Sequence, residues 1–151
     1  MTSAKPDLAL VADEDPPGYR VDRQVGFVLR KASQRHVAIF ASHIADLTPP
    51  QFATLSKLNS VGETSQNQLG VLVAMDAATV KGVIDRLKAR GLVEVTKHAV
   101  DRRRLMVRLT EQGRNLVAEL TPLAERITAE TLAPLSPREA ATLLRLLSRI
   151  A

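Results

Sequence analysis

The sequence contains no cysteine and no tryptophan, and aromatic residues make up only 3% of its 151 positions. Without cysteine the protein has no disulfide, no thiolate metal site and no thiol-based redox sensor. With so few aromatic rings, a sequence that is 45% hydrophobic must build its core from leucine, valine, isoleucine and alanine. That composition favours packed helices over a β-sandwich.

Long apolar runs are also absent. No stretch approaches the roughly 20 residues that a membrane-spanning helix needs. The N-terminus lacks the basic and then apolar pattern of a signal peptide. We therefore expect a cytoplasmic protein with no membrane partner.

Positive charge is concentrated in one segment. The formal net charge is +5, and residues 76–108 alone contain nine lysine or arginine residues against four aspartate or glutamate residues. The rest of the chain holds equal numbers of both signs. Such clustering is typical of a surface that binds a polyanion, most commonly nucleic acid, although a solvated basic face would give the same count.

A single domain is expected to follow an acidic tail. Residues 1–18 are rich in proline and acidic side chains and show no periodicity, so we predict a disordered tail there. Residues 19–151 have the length of one domain. Apolar residues recur at helical spacing from Val21 to Asp46, which predicts one long amphipathic helix.

Capping residues mark the later helix starts. Thr48, followed by Pro49 and Gln51, predicts a helix that ends before Gly62. Similar signals predict helices that begin after Ser65, Asp76, Thr110 and Ser136.

Two strands are predicted between these helices. Residues Val93–Thr96 and Leu105–Leu109 alternate between apolar and polar side chains, and the polar segment Lys97–Arg104 joins them as a hairpin loop. The predicted fold class is therefore mainly α with a small β-wing, a winged helix-turn-helix with long N- and C-terminal helices.

The helices after Ser65 and Asp76 have the layout of a helix-turn-helix, whose second helix enters the major groove of DNA. Small side chains at the start of the second helix would let its backbone approach base edges, and Lys81 and Arg86 would reach guanine or phosphate. Free N–H groups at the start of the first helix favour a phosphate. The candidate DNA-binding residues here are Ser65, Gln66, Asn67, Ala77, Ala78, Thr79, Lys81, Gly82 and Arg86. The alternative is that the small residues serve only to pack this helix against its neighbours.

The hairpin loop supplies the second candidate DNA contact. Arg102, Arg103 and Arg104 follow one another at its tip, and guanidinium groups on a hairpin can enter a narrow minor groove. Asp101 is interpreted as the partner of a neighbouring arginine that fixes the loop geometry.

These segments together resemble the MarR family of bacterial transcription regulators. The resemblance covers about residues 20–151, and its most specific part is the Asp-Arg-Arg loop followed by Leu-Thr-x-x-Gly. The matching segments are Ser65–Gly70, Asp76–Val80, Arg86–Val93, Asp101–Arg103 and Leu109–Gly113.

The resemblance implies an obligate homodimer that binds a pseudo-palindromic operator in double-stranded DNA. Residues 19–47 and 111–151 would form dimerisation helices, and residues 48–110 the winged DNA-binding lobe. It further implies that residues 77–82 and Arg86 read the major groove, that Arg102 or Arg103 enters the minor groove, and that Asp101 braces the wing. The apolar C-terminal helix is consistent with dimerisation, with packing inside the chain as the alternative.

An effector is a further expectation. Many members of this family are repressors released by small anionic aromatic ligands, and the chain is loosely similar to members that govern aromatic-acid breakdown. His36, Phe40 and His43 share one helix face, and Arg20 or Arg35 would add charge, which would suit an aromatic carboxylate. Alternatively, the two histidines are interface or surface residues.

No cofactor is expected, and no metal, because no carboxylate or thiolate completes a ligand set with these two histidines.

Three alternatives stand beside a ligand-responsive repressor. A winged-helix module that binds proteins would have no need for three consecutive arginines. A DNA-binding regulator without an effector stays open. An enzyme is not expected, because the sequence has no phosphate-binding glycine loop, no nucleophile motif and no metal motif, and the three histidines form no recognisable site.

Overall fold

Six α-helices and three short strands follow one another over residues 18–151, the part of the chain that this computed structural model describes. The tail predicted over residues 1–18 lies outside the described residues except for Gly18. The elements are α1 (Val25–His43), α2 (Pro49–Val61), β1 (Thr64–Ser65), α3 (Gln66–Leu72), α4 (Ala77–Ala89), β2 (Val93–Lys97), β3 (Leu105–Leu109), α5 (Glu111–Leu132) and α6 (Pro137–Ile150). No helix among the described residues is long and apolar enough to cross a membrane.

The first helix corrects the sequence prediction. A 3-10 turn at Val21–Arg23 comes first, and Gln24 is extended, with ψ of 132°. This extended residue interrupts the helix that was predicted to run from Val21 to Asp46, so that α1 begins at Val25 and ends at His43. The chain divides into two compact units within this helix, one ending at Ser33 and the other comprising Gln34–Ala151.

The predicted capping residues all begin helices. The hydroxyl of Thr48 accepts a hydrogen bond from the backbone of Gln51 and forms a full capping box. Side chains at the other predicted starts accept from the backbone N–H three residues on, which satisfies one of the free donors of a helix N-terminus. These caps are Ser65, Asp76, Thr110 and Ser136.

The core lies within the unit Gln34–Ala151 and is almost entirely aliphatic. Helices α2 to α5 and the sheet supply most of it. Its most deeply buried side chains are Leu55, Leu58, Leu69, Ile84, Leu87, Val80 and Val107. Phe40 and Phe52 add the two aromatic rings, with centroids 6.4 Å apart.

The sheet has the order β1-β3-β2 and is antiparallel throughout. Val93 pairs with Leu109 at one end of the hairpin, and Lys97 pairs with Leu105 at the other, next to the loop. The sequence did not predict β1, because two residues are too few to show an alternating pattern. It places Thr64 opposite Val107 and ties the start of α3 to the wing.

A tight turn joins α3 to α4. Ala74 has φ of 55°, a left-handed conformation that is uncommon for a residue with a side chain. The N–H of Met75 donates to the carbonyl of Gly70 at 2.9 Å. A Cβ on Gly70 would lie 3.1 Å from the carbonyl oxygen of Met75, so the turn closes against a residue with no side chain.

Candidate nucleic-acid interface

Helix α4 packs one face into the core and leaves the other to solvent. Its buried side chains are Val80, Val83, Ile84 and Leu87. Ala77, Ala78 and Thr79 are exposed in its first turn. A Cβ built on Gly82 would have no atom within 4 Å apart from its chain neighbours and the backbone of the helix itself. Ala78, Gly82 and Arg86 are four residues apart and therefore form one stripe on the open side.

The start of α4 is fixed by Asp76. Its carboxylate accepts a hydrogen bond from the Thr79 N–H at 2.7 Å. That bond to the Thr79 backbone lowers the pKa of Asp76 below its usual value of 3.8. The carboxylate is therefore ionised at neutral pH and holds the first turn, from which the exposed small residues project.

Two cations outside the wing loop, on α4 and in the sheet, pair with carboxylates. Lys81 Nζ lies 2.8 Å from Asp85 Oδ2 on the same helix, with both side chains more than half exposed. Arg108 donates to Glu94 across the hairpin at 2.8 Å, and this contact raises the pKa of Arg108. Exposed pairs of this kind are weak, so Lys81 can exchange Asp85 for a base or phosphate at small cost.

The start of α3 faces the wing across a groove of about 910 Å³. Ser65 is only 8% exposed and its hydroxyl accepts from the Gln68 N–H at 3.2 Å, so its role within the chain is that of a cap. Gln66 and Asn67 line the groove from one side, and Arg103 and Arg104 line it from the other.

The wing loop is ordered by its own backbone. The N–H of His98 donates to the Arg104 carbonyl at 2.9 Å, and the N–H of Arg104 donates to the Asp101 carbonyl at 3.0 Å. The Asp101 carboxylate accepts from the Arg103 N–H at 3.2 Å and lies 3.6 Å from Arg103 Nε. Asp101 therefore does pair with a neighbouring arginine, mostly through the backbone of that residue. The Arg103 side chain remains 96% exposed.

Comparison with known proteins identifies the family. Residues 45–104 match the sequence profile of the MarR family. The transcriptional repressor NicR of Pseudomonas putida is 41% identical over 138 residues, which cover 90% of this chain and 87% of NicR.

The chain belongs to the MarR family.

Two solved structures support the fold of this MarR-family protein. A probable transcriptional regulator from Pseudomonas aeruginosa is 47% identical, covers 87% of this chain and 100% of its own, and superposes with a TM-score of 0.84. BpsR from Bordetella bronchiseptica is 44% identical, covers 89% of this chain and 97% of its own, and has a TM-score of 0.85. The predicted winged helix-turn-helix is confirmed, and the protein is a DNA-binding transcriptional regulator. These relatives are named as regulators and not as enzymes.

The two histidines predicted for the effector contact the end of α5. His43 Nε2 lies 2.6 Å from a carboxylate oxygen of Glu130. His36 Nδ1 lies 2.9 Å from the hydroxyl of Thr131, and that hydroxyl donates to the Ile127 carbonyl at 2.7 Å. Because the hydroxyl proton is used, His36 must donate from Nδ1. No signal in the sequence pointed to these α5 partners, which are 87 and 95 residues away.

The other predicted effector residues are placed differently. Phe40 is 4% exposed and packs against Phe52 in the core, so its contact with a ligand stays a prediction. Arg20 precedes the 3-10 turn, in the unit that ends at Ser33, and its carbonyl accepts from the Gln24 side chain. Arg35, the other arginine considered as a source of charge, donates to the carbonyls of Thr131 and Glu130 at 2.6 and 3.1 Å.

Proposed function

We propose that this MarR-family protein is a homodimeric repressor that acts in the cytoplasm and leaves its operator when a small aromatic carboxylate binds. The observation that carries the proposal is the pairing of two exposed elements. The open face of α4 presents small residues and Arg86, and an ordered wing presents Arg102–Arg104. The relative NicR is named a repressor. None of these features serves catalysis, so we propose a regulator that is not an enzyme.

Residues 48–110 form the proposed DNA-binding lobe, in which α4 lies in the major groove and Arg102 or Arg103 in the minor groove. Within the described chain, Arg86, Arg102 and Arg104 make no ion pair. Their charges are therefore available to DNA without breaking an internal contact.

Residues 19–47 and 111–151 form the proposed dimerisation part. Helix α6 buries none of its residues, and Leu143, Leu146 and Ile150 are 37%, 44% and 68% exposed along one face. An exposed apolar helix face of this kind is a mark of an interaction surface. A second copy of the chain would cover it, and the twofold symmetry would match a pseudo-palindromic operator.

The proposed effector site is built around His36 and His43. The solved structure of BpsR concerns the mechanism by which 6-hydroxynicotinic acid regulates the DNA binding of that protein. In this chain Glu130 already places a carboxylate 2.6 Å from His43. An aromatic carboxylate would take the place of Glu130 at this imidazole and so loosen the end of α5.

The DNA proposal is tested by titrating labelled duplex from the region upstream of the gene at several salt concentrations. We expect the affinity of the Arg102→Ala, Arg103→Ala double variant to fall most of the way to non-specific binding. Its salt slope should decrease by about 0.9 for each phosphate that the variant no longer neutralises. The double variant Arg126→Ala, Arg145→Ala removes the same charge outside the basic segment and serves as the control. A flat salt response of the wild type would refute the proposal.

The effector proposal is tested by the thermal shift that a ligand produces, because a ligand that binds the folded state raises its stability. We expect 6-hydroxynicotinic acid to raise the melting temperature and release DNA, and 2-hydroxypyridine, which lacks the carboxylate, to do neither. His36→Ala should blunt the response, and Glu130→Gln, which removes the competing charge, should strengthen it. If both variants respond as the wild type does, the proposed site is wrong. If the wild type shows neither a thermal shift nor release of DNA, a regulator without an effector remains.

A further inference from the structure

One imidazole lies inside the wing, and no sequence motif assigns it a role. The Nδ1 atom of His98 accepts a hydrogen bond from the Val100 N–H at 3.1 Å and a second from the Asp101 N–H at 3.0 Å. A ring nitrogen accepts only when it carries no proton. The geometry therefore requires the neutral imidazole with its proton on Nε2.

This imidazole is the centre of the loop. The two N–H groups from which it accepts belong to the residues directly before the arginines. The same loop is closed by the bond from the His98 N–H to the Arg104 carbonyl. His98 thus plays the part that an asparagine or aspartate side chain plays in other turns, where it accepts from the backbone two residues on.

We propose that His98 is a positioning residue of the wing, whose neutral imidazole holds the arginines in their DNA-binding arrangement and whose protonation weakens DNA binding. The proposal rests on the proposed function of the wing. An imidazolium has a proton on Nδ1 and would point it at two N–H donors. The loop would then lose both of the hydrogen bonds that its backbone donates to the ring.

The charges around the loop do not offset this loss. The loop itself carries Lys97, Asp101 and Arg102–Arg104, and Glu63 lines the adjoining groove. The Asp101 carboxylate is already held by Arg103, and the remaining loop charges would repel an imidazolium. Simple electrostatics predicts the opposite of our proposal, because an added positive charge should strengthen the attraction to DNA at low pH.

The test compares operator affinity at pH 7.5 and pH 5.5 for the wild type and three variants. An asparagine places an acceptor near the position of Nδ1, whereas a glutamine extends to the position of Nε2. We expect His98→Asn to bind like the wild type at pH 7.5 and to keep its affinity at pH 5.5. His98→Ala and His98→Gln should bind about tenfold more weakly at pH 7.5, since two backbone hydrogen bonds are removed. The wild type should weaken between the two pH values relative to His98→Asn.

Two readouts keep the test independent of DNA. The ¹⁵N chemical shifts of the His98 ring, assigned by their disappearance in His98→Asn, should show an unprotonated Nδ1 at pH 7.5. The Val100 and Asp101 amides should exchange faster in His98→Gln than in the wild type. A proton on Nδ1, or wild-type binding that tightens at pH 5.5 relative to His98→Asn, would overturn the inference. If the double arginine variant loses affinity and His98→Ala does not, only the proposed role of His98 is refuted, and the proposed role of the wing stands. If neither loses affinity, the wing does not bind DNA.

Discussion

The open face of α4 gives the sharpest prediction, because a single methyl group should act in opposite directions on stability and on DNA binding. Gly82 lies in the interior of α4, on the stripe that also holds Ala78 and Arg86. Apart from its chain neighbours and the backbone of the helix itself, no atom of the described chain lies within 4 Å of a Cβ built there. Gly82→Ala therefore meets nothing in the protein, and any penalty must come from a partner.

The magnitude of the stability effect follows from helix energetics. Alanine in a helix interior is more favourable than glycine by about 0.5–1 kcal/mol, because glycine loses more backbone freedom on folding. For a domain of this size, 1 kcal/mol corresponds to about 2–4 °C in melting temperature. Gly82→Ala should therefore melt up to about 4 °C higher than the wild type.

The effect on DNA binding should be a loss. If the backbone of α4 approaches base edges at Gly82, the added methyl group holds the helix away from them and weakens the nearby contacts of Lys81 and Arg86. We expect operator affinity to fall by about tenfold or more, which corresponds to about 1.4 kcal/mol. Fluorescence anisotropy with operator and with an unrelated duplex separates this loss from non-specific binding, which should change little.

Two results would refute this reasoning. A melting temperature below that of the wild type would show that the site is not open. An unchanged operator affinity, together with the expected rise in melting temperature, would show that α4 does not approach DNA closely at Gly82. Ala78→Gly is a matched control, since it should lower the melting temperature by a similar amount while leaving more room for DNA.

Three further predictions concern stability and assembly. Gly113→Ala should lower the free energy of unfolding by about 3 kcal/mol, measured by urea denaturation, because its Cβ would lie 2.1 Å from the Leu92 carbonyl oxygen. Asp76→Asn should lower the melting temperature at pH 7. That difference should vanish as the pH falls below 3.8, because the lowered pKa means that the fold stabilises only the ionised carboxylate. A difference that does not change with pH would contradict this prediction. Leu146→Glu should convert the dimer to monomer in sedimentation equilibrium, whereas Arg145→Glu should not.

The local signals in the sequence predicted most of the helices, and the reason is visible at each start. Thr48 and Thr110 accept hydrogen bonds from residues three positions on, so the signal and the structure lie within one turn. The Leu-Thr-x-x-Gly segment has an equally local explanation. Thr110 caps α5, and because Gly113 has no side chain, the first turn of α5 can rest against the Leu92 backbone.

The interactions that the sequence did not predict depend on the tertiary fold. His43 meets Glu130, and Arg35 meets Thr131, only because α1 and the end of α5 come together in the unit Gln34–Ala151. No periodicity encodes that approach. The break at Gln24 was missed for a different reason. The apolar spacing continues across it, so the pattern alone could not show where the helix begins.

His98 was missed although its signal is local. A histidine two residues before a backbone N–H donor can accept from it as asparagine does, but a histidine in a sequence is first interpreted as a ligand or an acid-base group.

Nine cationic residues lie in the segment 76–108, yet Lys81, Arg103 and Arg108 each have an acidic partner there. Charge count alone therefore does not define the DNA contact. Long-range attraction depends on the net charge of the segment, whereas a guanidinium enters a groove only if its backbone holds it there. In this protein an uncharged ring nitrogen accepts two of the hydrogen bonds that hold that backbone, so we infer that the arrangement of cations in the wing depends in part on a neutral group.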